Sequence, residues 1–179
     1  MGIHLKRRMS QFVIVLYPFL LFTVAACAEE KEPRVKKEDI QTIEAVLRNS
    51  LTGPSDELRS ILDKESEGKS DTLHQYEERI FKEYFANETS YTEFINRYGS
   101  GLMVEPINND YQLKIKNIDY EKTAAKDSVY NFSIELELLK EGSEKLHVEN
   151  VSGQANLNDE HKIEEMLIRT EELYKSMTN

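Results

Sequence analysis

Few residues in this chain are equipped for chemistry: one cysteine, Cys27, and four histidines, His4, His74, His147 and His161, in 179 residues. A histidine becomes an acid or base when a second polar group orients it. His74 is the candidate acid–base residue, with Tyr76, Glu77 and Glu78 beside it, but all four sit inside the surface pattern of an ordinary amphipathic helix. No carboxylate falls on a strongly apolar strand face to partner His74. His147 alternates opposite Leu146 and Val148 and is expected to face solvent, His161 falls in a turn, and His4 lies near the start. The histidines are not clustered, and Asn108-Asn109-Asp110 and Asn156 to Asp159 read as turns that do not match the twelve-residue calcium loop. No metal and no cofactor is therefore expected. Gly68-Lys69-Ser70 invites comparison with a phosphate loop, yet the earlier glycine of that motif would have to be residue 63, which is Asp63, and no strand leads into it.

Cys27 carries the clearest signal. Lys6, Arg7 and Arg8 precede an apolar stretch from Phe12 to Val24, broken only by Pro18 and Thr23, and Ala28-Glu29-Glu30-Lys31 follows the cysteine. That is the order of a secretory signal. The apolar run falls short of the roughly 20 residues a spanning helix needs. Val24-Ala25-Ala26-Cys27 resembles a bacterial lipobox, which implies cleavage before Cys27 and two acyl chains on it, enough for stable anchoring. An ordinary cleavage site with an incidental cysteine and an uncleaved anchor stay open as alternatives. A lone cysteine cannot staple its own chain, which favours the lipidated reading. The chain is then expected at a cell membrane, lipid-anchored on the extracytoplasmic face of a Gram-positive bacterium. The acceptor patterns at Asn87, Asn131 and Asn150 have no glycosylation meaning there.

The expected organisation is a signal peptide over 1–26, a lipidated tether over 27–37 and one domain over 38–179. The leader holds three of the 23 Lys+Arg and none of the 33 Asp+Glu, so the rest carries a formal charge of −13. Nucleic acid is a poor partner for such a surface, because binding it requires cations against phosphate. The same acidity argues against lying flat on anionic lipid. Membrane lipid is engaged through Cys27, and the short, charged, Pro33-containing tether holds the domain close by.

Helical spacing of Ile40, Ile43, Val46, Leu47 and Leu51 predicts a helix over 37–50. Thr52-Gly53-Pro54-Ser55 ends it, and Ser55 or Asp56 can cap a second helix carrying Leu58, Ile61 and Leu62. A third is predicted over 71–85, and a fourth carrying Tyr91, Phe94, Ile95 and Tyr98 is stopped by Gly99 and Gly101. From Tyr111 the period changes to two. Lys116-Asn117 shifts the phase as a bulge would, Tyr130 to Leu138 alternates most clearly, and Leu146 to Leu157 shows a second phase shift near Asn150. The last segment fits a single helix over 162–177, or a strand over 162–168 after a turn at Asn158 to His161, with a short helix behind it.

Helices followed by long bulged antiparallel strands resemble the NTF2-like fold. Val151-Ser152-Gly153-Gln154-Ala155 with Asn158, Asp159 and Lys162-Ile163, and Leu51-Thr52-Gly53-Pro54 ahead of Glu57 and Leu58, are similar to small lipoproteins of Bacillus-type bacteria with such a domain. The resemblance covers about 38–170 and selects the strand reading for 162–168. It implies an α+β fold in which N-terminal helices pack on a curved antiparallel sheet to form a cone with a pocket at its open end. Tyr76, Tyr84, Tyr91, Phe94, Tyr98, Tyr130 and Phe132 are the rings that would line it. The function expected is a non-catalytic binding or assembly domain, with a small-molecule ligand, a homodimer or a cell-envelope protein as the partner. Two alternatives stand beside it: an enzyme with His74 as acid/base inside the cone, and a scaffold of a cell-envelope complex. An open cavity would favour a ligand. A packed interior with an exposed apolar sheet face would favour assembly.

Overall fold

The computed structural model describes residues 36–63, 68–123 and 128–178. The expected signal peptide over 1–26, with its expected lipobox, and most of the expected tether over 27–37 lie outside these residues. The order is α1 (Lys37–Leu51), α2 (Asp56–Leu62), α3 (Lys69–Phe81), α4 (Glu88–Arg97), α5 (Gly99–Asn108), β1 (Tyr111–Lys122), β2 (Val129–Lys140), β3 (Leu146–Leu157), β4 (Ile163–Arg169) and α6 (Glu171–Thr178).

Local chemistry accounts for most boundaries. Ser55 Oγ accepts from Leu58 N–H at 3.2 Å to start α2, and Asn87 Oδ1 accepts from Ser90 N–H at 3.0 Å to start α4. The helix predicted over 71–85 instead ends at Phe81 and tightens into a 3₁₀ turn over Lys82–Tyr84. The glycines expected to stop the fourth helix do more than that: α4 ends at Arg97 and a new helix begins at Gly99. A tertiary contact explains it. Glu77 of α3 is buried with its carboxylate accepting the Ser100 backbone N–H in the first turn of α5. This supplies the negative charge that a helix start favours. A Cβ on Gly99 would lie 2.9 Å from Glu77 Oε1 and 3.2 Å from Ile95 Cγ2, so glycine makes the close approach possible.

The strands form one antiparallel sheet in the order β1-β2-β3-β4, each joined to the next in sequence. The strand at Ile163–Arg169 and the short helix after it agree with the strand reading of the C-terminal segment. The bulge expected at Lys116 is present, since Ile115 pairs with Leu136 while Asn117 pairs with Glu135. The second shift expected near Asn150 is absent: β2 and β3 pair without interruption from Val129↔Asn156 to Leu139↔Leu146.

That unbroken register corrects the NTF2-like cone. Bulges are what bend a long antiparallel sheet; the register shifts here are confined to the outer ladders, at Ile115/Asn117 and Asn156/Leu157, and the two central strands have none between them. The result is an open, uncurled meander in which β1 and β4 are separate edges, rather than a cone closing on a pocket. What stands, among the described residues, is an α+β arrangement with five helices preceding a four-stranded sheet.

One face of the sheet is buried. Tyr130, Phe132, Ile134, Leu136 and Leu138 of β2, with Val151, Ala155 and Leu157 of β3, are 3% exposed or less and join the helix residues Ile43, Val46, Leu47, Phe81 and Phe94 in one core. Gly153 sits where a Cβ would meet Leu167 O at 2.1 Å and the Phe132 ring at 2.3 Å, which lets that ring lie across the strand. Leu146 and Val148 belong to the opposite, outer face, at 49% and 42% exposure.

The edges differ. On β4, Ile163 C=O accepts from Ala86 N–H at 2.9 Å and Ile168 N–H donates to Tyr98 Oη at 2.8 Å. On β1, Leu113 exchanges two main-chain hydrogen bonds with Gly53, at 3.0 and 2.7 Å.

Candidate functional site

Cys27, expected to be lipidated, and Val24, Ala25 and Ala26, expected to form the lipobox, lie outside the described residues. His74 is exposed on α3 and makes no hydrogen bond to a carboxylate among the described residues. Of the seven rings named from the sequence, Tyr91, Phe94, Tyr98, Tyr130 and Phe132 are core residues, 6% exposed or less. Phe94 lies 5.2 Å from Phe81, 4.9 Å from Phe85 and 5.4 Å from Tyr98 between ring centroids, distances of rings packed on one another. Tyr91 keeps its hydroxyl buried without a partner among the described residues, and burial beside Glu77 and Glu78 pushes its pKa up to about 12. Tyr76 and Tyr84 are half-buried at the helix surface. Tyr76 Oη is 3.1 Å from Ser55 Oγ, and the ring carries the Arg79 guanidinium 5.2 Å from its centroid.

The structure brings together three residues that the sequence reading kept apart. Asp39, fully buried in the first turn of α1, receives the Tyr130 hydroxyl at 2.5 Å on Oδ2 and His161 Nδ1 at 2.6 Å on Oδ1. The Lys36 backbone N–H donates to the same Tyr130 Oη at 3.3 Å. Asp39 is positioned by its helix, one turn before Ile43 on the stripe that continues to Val46 and Ser50. His161 is positioned by its turn, where Asn158 Oδ1 accepts from the backbone N–H groups of Glu160 and Lys162 at 3.0 and 2.9 Å. His161 itself adopts φ +61°, a left-handed conformation uncommon outside glycine.

Chemically, a carboxylate that accepts Nδ1–H holds the imidazole in one tautomer and leaves Nε2 as its acceptor. The His161 side chain is 36% exposed, and its Nε2 makes no hydrogen bond among the described residues. The geometry is that of a joint: it fastens the start of α1 to β2 and to the β3–β4 turn. One signal in the sequence pointed to it. Asp39 falls four and seven residues before Ile43 and Val46, which puts a carboxylate on the buried stripe of its helix. Its partners, 91 and 122 residues away, have no local signature.

A second polar cluster ties α6 to β3. Ser176 Oγ donates to Glu149 Oε1 at 2.5 Å, and His147 Nε2 lies 2.6 Å from the same oxygen. Both contacts hold the Glu149 carboxyl below its usual range. The hydroxyl contacts the carboxylate and not the imidazole, which differs from the hydroxyl-to-imidazole pairing of a serine nucleophile. His147 is exposed as expected, though its parity along β3 is that of Val151. Among the described residues no group of three or more His, Cys, Asp and Glu side chains is placed to hold a metal ion. No helix among them is long and apolar enough to cross a membrane.

Between the helices and the sheet, the slot bordered by Ser50, Leu58, Leu102, Met103 and Leu113 holds about 10 Å³. That is room for about one water. Larger depressions are surface grooves. One of about 400 Å³ runs between α2 and α3 along Glu57, Ile61, Thr72 and Arg79, and another of about 470 Å³ lies at the outer end of the sheet along Gly53, Lys114, Glu137, Leu139 and Leu146.

No family model matches the chain, and no curated protein matches it. Among solved structures, the chain is similar to a protein from Xanthomonas campestris pv. campestris proposed as a polyketide cyclase, at 9% identity and a TM-score of 0.39, over 78% of this chain and 96% of that one. At that TM-score the likeness carries no argument about activity.

Proposed function

We propose that this chain is a lipid-anchored, extracytoplasmic assembly domain that works by docking onto a cell-envelope protein. The observation that carries the reading is the filled interior: five of the rings that could have lined a pocket, Tyr91, Phe94, Tyr98, Tyr130 and Phe132, are buried in the core, and the slot between the helices and the sheet has space for about one water. A binding domain for a small apolar ligand needs a cavity of several hundred Å³. Leu139, Leu146 and Val148 are exposed together at one end of the outer sheet face, where assembly would use apolar surface. The anchoring half of the proposal rests on the charged leader, the apolar run and Val24-Ala25-Ala26-Cys27. His74 is exposed and makes no hydrogen bond to a carboxylate among the described residues, although its charge reaches Glu77 and Glu78, so the catalytic alternative has no positioned acid–base pair behind it.

The test is to extract the full chain in mild detergent from its native membrane. The expected result is a discrete particle containing a second protein, together with incorporation of labelled fatty acid that Cys27→Ser abolishes. A chain that extracts alone with a stoichiometric apolar small molecule bound would overturn the assembly reading, and label retained by Cys27→Ser would overturn the anchor.

A further inference from the structure

The open edge of β1 is built to accept one more strand. Leu113 gives its N–H and C=O to Gly53, away from β2, so Leu113↔Leu138 is a non-hydrogen-bonded pair of the β1–β2 ladder. Alternation along β2 and the bulge at Lys116 carry that phase to Ile118↔Ile134 and Tyr120↔Phe132. The hydrogen bond from Thr123 N–H to Val129 O confirms the parity, since it places the odd-numbered residues after the bulge in the bonded pairs. The backbone groups of Ile118 and Tyr120 therefore point away from the sheet, and none of them is hydrogen-bonded among the described residues.

The side chains along this edge say what would fit. Asn117, Asp119 and Glu121 alternate on the outer face and are exposed, while Ile118 and Tyr120 are half-buried on the helix side. Asp119 accepts a hydrogen bond from Asn117 Nδ2 at 3.1 Å, and neither Asp119 nor Glu121 has a cation paired to it among the described residues. Lys116, on the same strand, is already spent on Glu135 at 2.6 Å. A strand laid along the edge would set every second side chain next to Asp119 and Glu121 and the intervening ones next to Ile118 and Tyr120. A second copy of this chain, pairing edge to edge, would place acid against acid, which is how charged edges discourage self-association.

We infer that the β1 edge over 117–121 binds an extended segment of a partner protein in which basic residues alternate with apolar ones. This deepens the assembly reading and rests on it. Main-chain hydrogen bonds supply the attachment, and the alternation supplies the selectivity, as in strand addition generally. The opposite edge is not available in the same way, because Tyr98 Oη and Ala86 N–H already occupy groups of β4.

The experiment uses the full chain in detergent and a short end-blocked peptide alternating lysine and isoleucine, with a control peptide of the same composition whose lysines and isoleucines are segregated. Binding of the alternating peptide is expected to slow hydrogen exchange at the Ile118 and Tyr120 amides by about tenfold, and the double charge reversal Asp119→Lys with Glu121→Lys is expected to weaken it by about tenfold. Both substituted positions are exposed, and unchanged thermal unfolding verifies that the variant is folded. Equal binding of the segregated control, unaltered exchange at 118 and 120, or indifference to the charge reversal each overturns the inference. If any of these occurs while the detergent-extracted chain still carries a second protein, the edge is excluded and the assembly reading stands.

Discussion

Two buried carboxylates, Asp39 and Glu77, are held in opposite ways. Asp39 is 0% exposed and meets two side-chain donors, Tyr130 and His161, brought from different parts of the sheet. Glu77 is 6% exposed and is met by one backbone N–H, that of Ser100, while the nearby Tyr91 hydroxyl has no partner among the described residues. Burial holds the Glu77 pKa above its usual value, and the Ser100 hydrogen bond and His74 only partly offset it. The first carboxylate is a tertiary joint, the second a helix start that retains some desolvation cost. A buried acid is thus no marker of catalysis: its meaning lies in which donors reach it.

The comparison can be broken most forcefully at Asp39. Asp39→Ala leaves the Tyr130 hydroxyl and His161 Nδ1 without their acceptor inside the protein, a loss of about 3 kcal/mol. In a chain of this size that lowers the melting temperature by roughly 6–12 °C, measurable by circular dichroism. Tyr130→Phe removes one donor to the same carboxylate and is expected to cost about 2 kcal/mol in denaturant unfolding. If both substitutions are neutral, Asp39 is not a joint.

Smaller effects sharpen the Glu77 side. Gly99→Ala pushes a methyl group against Glu77 Oε1 and Ile95, and a loss of about 1 kcal/mol is expected. In a Glu77→Ala background the same change should cost less, because the oxygen is gone, only the 3.2 Å approach to Ile95 Cγ2 remains, and alanine is the better helix former. The double-mutant cycle reads this coupling directly. The smallest effect is in pH. Since the folded pKa of Glu77 is raised, the folded state binds more protons than the unfolded state just above the ordinary carboxylate value, and stability falls as pH rises through that window. Glu77→Gln should remove this slope. Glu149, whose pKa is lowered, acts in the opposite sense: its contribution is present at neutral pH and lost as pH falls through the ordinary carboxylate range. Ser176→Ala should flatten that acid-side loss.

Much of the fold was legible because burial imposes a period. Ile43, Val46 and Leu47 mark a helix, Tyr130 to Leu138 mark a strand, and the phase slip at Lys116 marks a bulge, each readable from neighbours a few residues apart. The reading failed where apolar residues did not mean core. Leu146 and Val148 resembled the inward set of a shifted strand, so a bulge was expected near Asn150; in an unbroken register they lie on the outer face, and the sheet stays open. Gly99 read as a helix stop because the carboxylate that starts α5 comes from another helix.

The sequence by itself determined the basic-then-apolar pattern ahead of its single cysteine, the acidity of everything after it, and the order of helices before strands, since composition and short-range periodicity are properties of adjacent residues. Only the tertiary structure decided that Phe94 packs on Phe81, Phe85 and Tyr98, that Asp39 meets His161 across 122 residues, and that among the described residues β4 is capped while β1 presents unbonded backbone groups at Ile118 and Tyr120. Those outcomes depend on which distant donor or side chain reaches a given point in space, and no local spacing encodes that.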